Sequence, residues 1–414
     1  MNLSLLILLG VFLIIVFRKI GGVPIKIWQA MAAGAVLVLL TGQISPQAAL
    51  QAIDLDIMIF LGGMFVVGEA LILSGYLGWV AYGALHRIRS AEGLIAVILL
   101  GGGLGSALLM NDTLAIMGTP LALQLAREHR LDSRLLLMTL AVAITTGSVM
   151  SPIGNPQNLL IAIQGPVPAP FLTFLQFLAI PTLLNLIVAF FVLRTLLPQA
   201  FHSEGLSHSA VMLTDIRLAR LSQWSLAIIL GLIGFKMAAV AWGWLWDIRL
   251  STIAVAAALP LLLLSPHRLT LLRRIDWTTL LFFVSMFVLM ASVWHTGTLQ
   301  DWTTRLRLDL QSIPSVLGFS VLLSQLISNV PLAALSVPLI GEGHGTLGAL
   351  MALAAGSTIA GNLFILGAAS NVIIIQRAEQ EGCSLTFGEF ARIGIPLTVL
   401  QTMVYGFYLR WALG

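Results

Sequence analysis

Long uncharged apolar runs, separated by short polar or Gly- and Pro-containing stretches, dominate the chain from end to end. Runs of roughly 17–25 residues match the helix length that crosses a hydrocarbon core. They predict crossings over 3–17, 24–42, 54–74, 134–163 and 169–197, then over 222–242, 248–264, 276–296, 346–376 and 390–412. Two further apolar stretches, 91–125 and 312–340, are interrupted midway by polar residues and yield two short arms each. Both read as re-entrant hairpins. The expected fold class is an all-α integral membrane protein with about ten transmembrane helices, two re-entrant hairpins and two broken helices.

Composition strengthens that picture. Of 414 residues, 58% are hydrophobic and 9% charged, against about 25% charged in an ordinary soluble domain. Soluble enzymes and nucleic-acid binders are excluded, and a single cysteine, Cys383, excludes an internal disulfide framework. Cytoplasmic loops carry the excess of Lys and Arg. With both termini outside, sixteen of the 21 basic residues fall inside, among them Arg18, Lys19, Arg127, Arg130, Arg217, Arg220, Arg274 and Arg377. Arg249, Arg305, Arg307 and Arg410 stay outside, and Lys236 falls within a span. A bacterial inner membrane is the expected location. The first apolar run lacks a basic leader and a small-residue cleavage site and reads as a retained anchor.

An internal repeat carries more functional information than any one motif. Residues 106–120, SALLMNDTLAIMGTP, align without gaps on 324–338, SQLISNVPLAALSVP, with Ser, Leu, Asn, Leu, Ala and Pro shared. At a constant offset Ile53-Asp54, Met64-Phe65 and Gly75 fall on Ile275-Asp276, Met286-Phe287 and Gly297. Downstream, Gly147-Ser148 matches Gly356-Ser357, while Gly154 and Asn158 match Gly367 and Asn371. Five crossings per half turn the second copy upside down. The reading is therefore an inverted repeat: 1–198, a cytoplasmic linker 199–221 with His202, Glu204, His208 and Asp215, and 222–414. Inverted repeats with discontinuous helices characterise secondary transporters, whose sites lie near the midplane.

Four polar interruptions mark the candidate site: Met110 to Thr113, Thr146 to Asn158, Ser328 to Pro331, and Gly356 to Asn371. Irregular backbone at membrane depth is tolerated when buried in protein or lining an aqueous cavity. Pro152, Gly154 and Pro156 are expected to leave carbonyls and amides free to face a ligand. The candidate binding residues are Asn111, Thr113, Ser148, Asn155, Asn158, Asn329, Ser357, Thr358 and Asn371. Ionisable groups within spans mark pathways or relays. Asp112, beside the first tip, is the candidate carrier of a coupling proton, with an N-cap as its alternative role. Glu69, whose counterpart is Ala291, is either a relay or a partner for Lys236.

The Asn111-Asp112 to Pro120 spacing, SPIGNPQN at 151–158, Ser328-Asn329-Val330-Pro331 and GNLFILGAASNV at 361–372 resemble the arsenite-permease (ArsB) and NhaD-like antiporter group of the ion transporter superfamily. Sodium-coupled dicarboxylate symporters belong to the same superfamily. The resemblance spans nearly the whole chain and implies a scaffold carrying a transport domain. The tips differ from the Ser-Asn-Thr of the dicarboxylate branch, and the Gly-Asn-Pro-Gln-Asn stretch departs from the best-known arsenite pumps.

The four interruptions hold no Lys or Arg, which suits a neutral hydroxylated solute held by amides and hydroxyls. Efflux of arsenite or antimonite against protons is the leading expectation. A sodium-coupled symporter of a dicarboxylate or other small anion is the alternative, and a sodium/proton antiporter the third. No enzyme activity, cofactor, metal or nucleic-acid partner is expected. Without a nucleotide-binding loop, ATP use would need a separate ATPase subunit. The lipid bilayer is the constant partner, and a homodimer is an admissible assembly. The glycine run Gly101-Gly102-Gly103 reads as a surface for close helix packing, and Trp242, Trp244, Trp246, Trp277, Trp294 and Trp302 as interfacial anchors.

Overall fold

The computed structural model describes every residue except 1, 18, 21–22, 87, 202–212, 245–247, 299–300, 302–308 and 343–345. Arg18, His202, Glu204, His208, Trp246, Trp302, Arg305 and Arg307 lie outside the described residues.

The chain folds as a series of helices. The first half comprises α1 (Leu3–Phe17), α2 (Ile27–Leu40), α3 (Pro46–Ala52), α4 (Leu55–Leu73), α5 (Tyr76–Leu85), α6 (Ala91–Leu109), α7 (Asn111–His129), α8 (Ser133–Gly147), α9 (Pro156–Gln164) and α10 (Pro170–Leu196). The second comprises α11 (Ile216–Ala241), α12 (Leu250–Leu264), α13 (Arg268–Arg274), α14 (Trp277–Trp294), α15 (Ile313–Ile327), α16 (Asn329–Glu342), α17 (Leu347–Ile359), α18 (Ala369–Gln380) and α19 (Phe387–Leu413). Lys19–Ile20 and Val23–Pro24 form a minimal antiparallel pair between α1 and α2. Among the described residues, six helical segments are long and apolar enough to cross a membrane, and shorter apolar helices supply the other spans. Their outward faces carry large apolar side chains in the open: Phe407 is 80% exposed, Leu40 79% and Trp411 76%. Lipid is the solvent such faces require.

The halves match element by element, α1–α4 with α11–α14, the α6–α7 hairpin with α15–α16, broken α8–α9 with α17–α18, and α10 with α19. The match extends to backbone detail. Met110 and Ser328, at equivalent tips, both take positive φ, 65° and 69°. Gly75 and Gly297 stop equivalent helices at φ 71° and 69°. Asp54 and Asp276 cap α4 and α14, accepting the Ile57 and Thr279 amides at 3.1 and 3.0 Å. Packing is reciprocal as well. Helix α2 lies on α14 as α4 lies on α12, and α6 on α8 as α15 on α17. The second arm of each hairpin packs on the half-helix that follows the other repeat's break, α7 on α18 and α16 on α9. The two copies thus interlock, with α10 against α19 between them.

α6 alone is long enough to span. Its hairpin character comes from the reversal at Met110, which is 1% exposed and enclosed within protein. From there α7 returns alongside α6. Helices α8 and α17 sit at the centre of the fold. Residues Leu135 through Gly147 and Gly348 through Ile359 are all buried, as expected for helices apolar on every side. The glycine run provides the close approach expected of it: a Cβ on Gly147 would stand 2.2 Å from the Gly103 Cα.

The structure departs from the sequence reading at three short helices and one helix start. Short helices α3, α5 and α13 occupy stretches read as connections, and α3 forms because Ser45 accepts the Ala48 amide ahead of Pro46. Helix α11 starts at Ile216, inside the stretch read as linker, because Asp215 caps it through the Leu218 amide at 2.9 Å.

Candidate functional site

Each break begins where a central helix can no longer continue as α-helix. After α8 the chain tightens into a 3-10 turn at Ser148–Met150, loops through Ser151 to Asn155, and restarts at Pro156. Proline suits that first helical position, since its missing N–H has no intrahelical partner there. Asn155 caps the restart, its Oδ1 accepting the Asn158 amide at 2.8 Å. After α17, two 3-10 turns at Ala360–Asn362 and Ile365–Gly367 precede α18.

Asparagine side chains hold the loosened backbone. Asn158 Nδ2 donates to the carbonyls of Ser148, Val149 and Ser151 at 3.1, 3.2 and 3.1 Å. Its repeat partner Asn371 donates to the Gly361 carbonyl at 2.6 Å. The carbonyls expected to face a ligand are therefore held by the protein itself in the first break. Gly154 also acts differently from expectation. A Cβ there would come within 2.4 Å of the Ser148 carbonyl oxygen, and one on Gly367 within 2.7 Å of the Ala360 oxygen. Close approach, not positive φ, selects these glycines.

Contacts across the repeat join the interruptions. Asn155 Nδ2 donates to Ser148 Oγ at 2.9 Å and to Thr358 Oγ1 of the other half at 3.3 Å. Gln157 Nε2 also reaches Thr358 Oγ1, and Thr358 donates to Asn158 Oδ1, both at 3.3 Å. In the other direction Asn362 Nδ2 donates to Thr146 Oγ1 at 3.0 Å and Gln401 Oε1 at 2.9 Å. The first tip joins the first break through the Asn111 amide, which donates to the Gly154 carbonyl at 2.9 Å. The second tip approaches its break through Gln325, one turn before Ser328, whose Nε2 donates to the Ala360 carbonyl at 2.8 Å.

The predicted residues divide on this geometry. Asn111 and Asn329, at the two tips, are buried with side-chain oxygens that accept no hydrogen bond, as is the Asn371 oxygen. Buried polar atoms are ordinarily satisfied; these three oxygens share their lack of a partner with others near the breaks, among them Asn362 Oδ1, Thr145 Oγ1 and Ser370 Oγ. Thr113 is buried against Gly68 of α4. Asn155, Asn158, Ser148 and Thr358 form the central network. Ser357 turns back to its own helix, donating to the Leu353 carbonyl at 2.7 Å. Asp112 stands in the first turn of α7 beside the tip.

Glu69 does not pair with Lys236. Arg274, Arg377 and Asp276 are the charged groups nearest in influence to Glu69. Lys236 donates to the Ile248 carbonyl at 2.7 Å and lines a cavity of about 500 Å³ with Asp56, Arg249 and Trp244. Gln325, Gln401 and the Thr182–Tyr405 pair, 2.7 Å apart, are polar elements that the sequence reading missed. Each lies in a mainly apolar run with at most one or two polar, Gly or Pro neighbours, far fewer than the clusters that marked the breaks.

Inverted repeats, paired re-entrant hairpins and broken helices meeting in a buried polar centre define a multi-pass membrane transporter, not an enzyme. The chain belongs to the CitMHS citrate-transporter family, whose model matches residues 11–346. It is 28% identical over 374 residues to the uncharacterised transporter Rv2684 of Mycobacterium tuberculosis, covering 86% of each chain. It is 26% identical over 492 residues to the human P protein, covering 97% of this chain and 59% of that one. In fold it resembles the YdaH transporter of Alcanivorax borkumensis, whose crystal structure is described as having an unusual topology. The TM-score is 0.59 at 14% identity, covering 99% of this chain and 98% of that one.

Proposed function

We propose that the protein is a secondary active transporter that carries a small carboxylate or comparable oxygen-rich anion by alternating access, coupled to sodium or protons. One observation carries this reading. Helices α7, α9, α16 and α18 all begin at the polar interruptions, at Asn111, Pro156, Asn329 and Ala369. Helix N-termini attract negative charge, so the site supplies a positive field without a fixed cation, even where the Asn111 and Asn158 amides are held by Gly154 and Asn155. The unpartnered oxygens of Asn111, Asn329 and Asn371 are acceptors suited to the co-transported ion. The citrate-transporter family membership supports the same substrate class.

In this reading residues 1–198 and 216–414 are the two repeats, and hairpins 91–125 and 312–340 belong to the moving part. Asp112 carries the proton where protons are the coupling ion, and Glu69 serves as its relay toward the face that holds Arg274. Arsenite or antimonite efflux is the second reading. It is favoured by the lack of Arg, Lys and His in all four interruptions.

Purified protein in liposomes, offered labelled citrate, succinate and arsenite under imposed sodium and proton gradients, separates them. Gradient-driven carboxylate uptake is expected. Arsenite flux that follows the proton gradient, with no carboxylate flux, overturns the first reading in favour of the second. Asp112→Asn should abolish the proton dependence, and unchanged proton-driven flux removes Asp112 from that role.

A further inference from the structure

The two copies, nearly identical in design, are not in identical positions. At the spacing that sets Asn158 on Asn371, Gln164 at the end of α9 corresponds to Arg377 on α18. At the offset that sets Asp54 on Asp276, the two helix caps correspond. In the first copy the pair is closed, with Gln164 Nε2 donating to Asp54 Oδ2 at 3.1 Å. In the second copy it is open. The Asp276 carboxylate accepts the Thr278 and Thr279 hydroxyls of its own helix, both at 2.6 Å. Among the described residues, Arg377 is in ion-pair contact with no carboxylate, although it acts on Glu69 from a distance.

Packing shows the same asymmetry twice more. Helix α9 touches α4, whereas the equivalent approach of α18 to α14 is slighter. Likewise α1 touches α15, and α11 touches α6 less. The buried apolar side chains fall into two clusters that divide along this line. One is continuous from α1–α4 and α11–α14 into α9, the second hairpin and α17, and takes in Leu109 and Met110 at the end of the first hairpin. The other contains most of the first hairpin, α8, α18 and the start of α19, and includes no buried residue of α1–α4 or α11–α14. On the first-hairpin face, then, apolar contact with α1–α4 and α11–α14 narrows to the region of the tip, where Leu109, Met110 and Thr113 meet it. Exposed Arg127–Glu381 and Arg134–Glu389 pairs tie only the first-hairpin side together.

We infer that Asp276 and Arg377 are the latch of the first-hairpin face. They join as an ion pair in the alternate state, while the Asp54–Gln164 contact on the opposite face opens. The inference rests on the alternating-access reading above. A charged pair in one copy and a neutral–charged pair in the other makes the two closed states unequal in strength, and so biases the resting population. The oppositely charged partners lie at cap and helix-end positions, where exchange with the Thr278 and Thr279 hydroxyls is local.

The test uses full-length protein in liposomes with Cys383→Ser as background. Asp54→Cys with Gln164→Cys should cross-link readily at rest, and Thr278→Cys with Gln380→Cys, which leaves both latch residues in place, slowly. Adding Asp54→Ala and Gln164→Ala to the second pair should raise its cross-linking about fivefold, the lower end of the coupling expected between two linked sites. Adding Arg377→Gln as well should cancel most of that rise, and Asp276→Asn, which keeps a capping side chain, should do the same. A second pair that never cross-links although the first does, a rise indifferent to Arg377→Gln, or both pairs closing together each overturns the latch. Reciprocal cross-linking in a protein that moves neither carboxylate nor arsenite supports the latch and rejects the substrate reading alone.

Discussion

Gly147 is the tightest point of the fold, and replacing it with alanine gives the most direct test of how the central helices pack. The new Cβ would lie 2.2 Å from Gly103 Cα, 2.3 Å from its oxygen and 2.5 Å from its carbonyl carbon. That is about 1 Å short of ordinary contact, and all three obstacles are backbone, so α6 itself must move away from α8. Overpacking in a tight core typically costs about 1–3 kcal/mol, and the upper end applies here because no side chain can swing aside. The glycine run supplies internal controls. Gly103→Ala meets chiefly the end of the Leu186 side chain at 2.8 Å, and Gly102→Ala meets the Ala143 Cβ at 3.3 Å. Gly101→Ala meets nothing within 4 Å and should gain about 0.5–1 kcal/mol of helix propensity. Reversible unfolding in mixed detergent micelles, with thermal melts alongside, should rank stability as Gly101→Ala, Gly102→Ala, Gly103→Ala, then Gly147→Ala. A Gly147→Ala protein as stable as Gly101→Ala would refute the close approach on which the site's placement depends.

Three further outcomes follow from the geometry. Asn158→Ala removes the donor for three buried carbonyls. Stability in the same assay should fall by roughly 3 kcal/mol, and a fall below about 1 kcal/mol would show those carbonyls satisfied otherwise. Ser328 holds φ 69°, a conformation costing of order 1–3 kcal/mol outside glycine. Ser328→Gly should melt higher than Ser328→Ala, and equal melting would remove the strain. Asp215 has its carboxyl below the ordinary range, chiefly because it accepts the Leu218 amide, with His267 3.0 Å away adding to the effect. A lowered acid stabilises the fold above its unfolded pKa, and that contribution disappears as pH falls through the folded value. Asp215→Asn, which retains capping ability, should therefore lose under about 1 kcal/mol at neutral pH, given its exposure, and converge with the parent protein in acid. A difference unchanged by pH would assign the effect to shape.

Much of this architecture was legible because the repeat writes its landmarks in residues with few substitutes. Asn111 and Asn329 announce the tips, and Gly147, Gly154, Gly356 and Gly367 mark places where backbone meets backbone. The short helices α3, α5 and α13 were hidden because segments of seven to ten residues are too short to cross a membrane and so read as connections, and α5 and α13 lack a side-chain cap to announce them. Gln325 and Gln401 were hidden for a different reason. One amide in an apolar helix is ordinarily a packing contact, and only its partner's position shows that it faces a break. The difference between the copies could not be read from sequence at all, since the inverted copies share sequence landmarks whichever face is open.

The exchange of half-helices between the copies bears on how the protein is made. Asn155 finds Thr358, and Gln157 the same hydroxyl, across sequence separations of 203 and 201 residues. A chain emerging from the ribosome must therefore insert its first polar loop into lipid long before the group that satisfies it has been synthesised. Until then Asn155 has its partner within the first copy, the Ser148 hydroxyl, while the Gln157 amide lacks the Thr358 hydroxyl it reaches in the finished fold. Separately expressed halves should each be short-lived and should rescue one another when produced together.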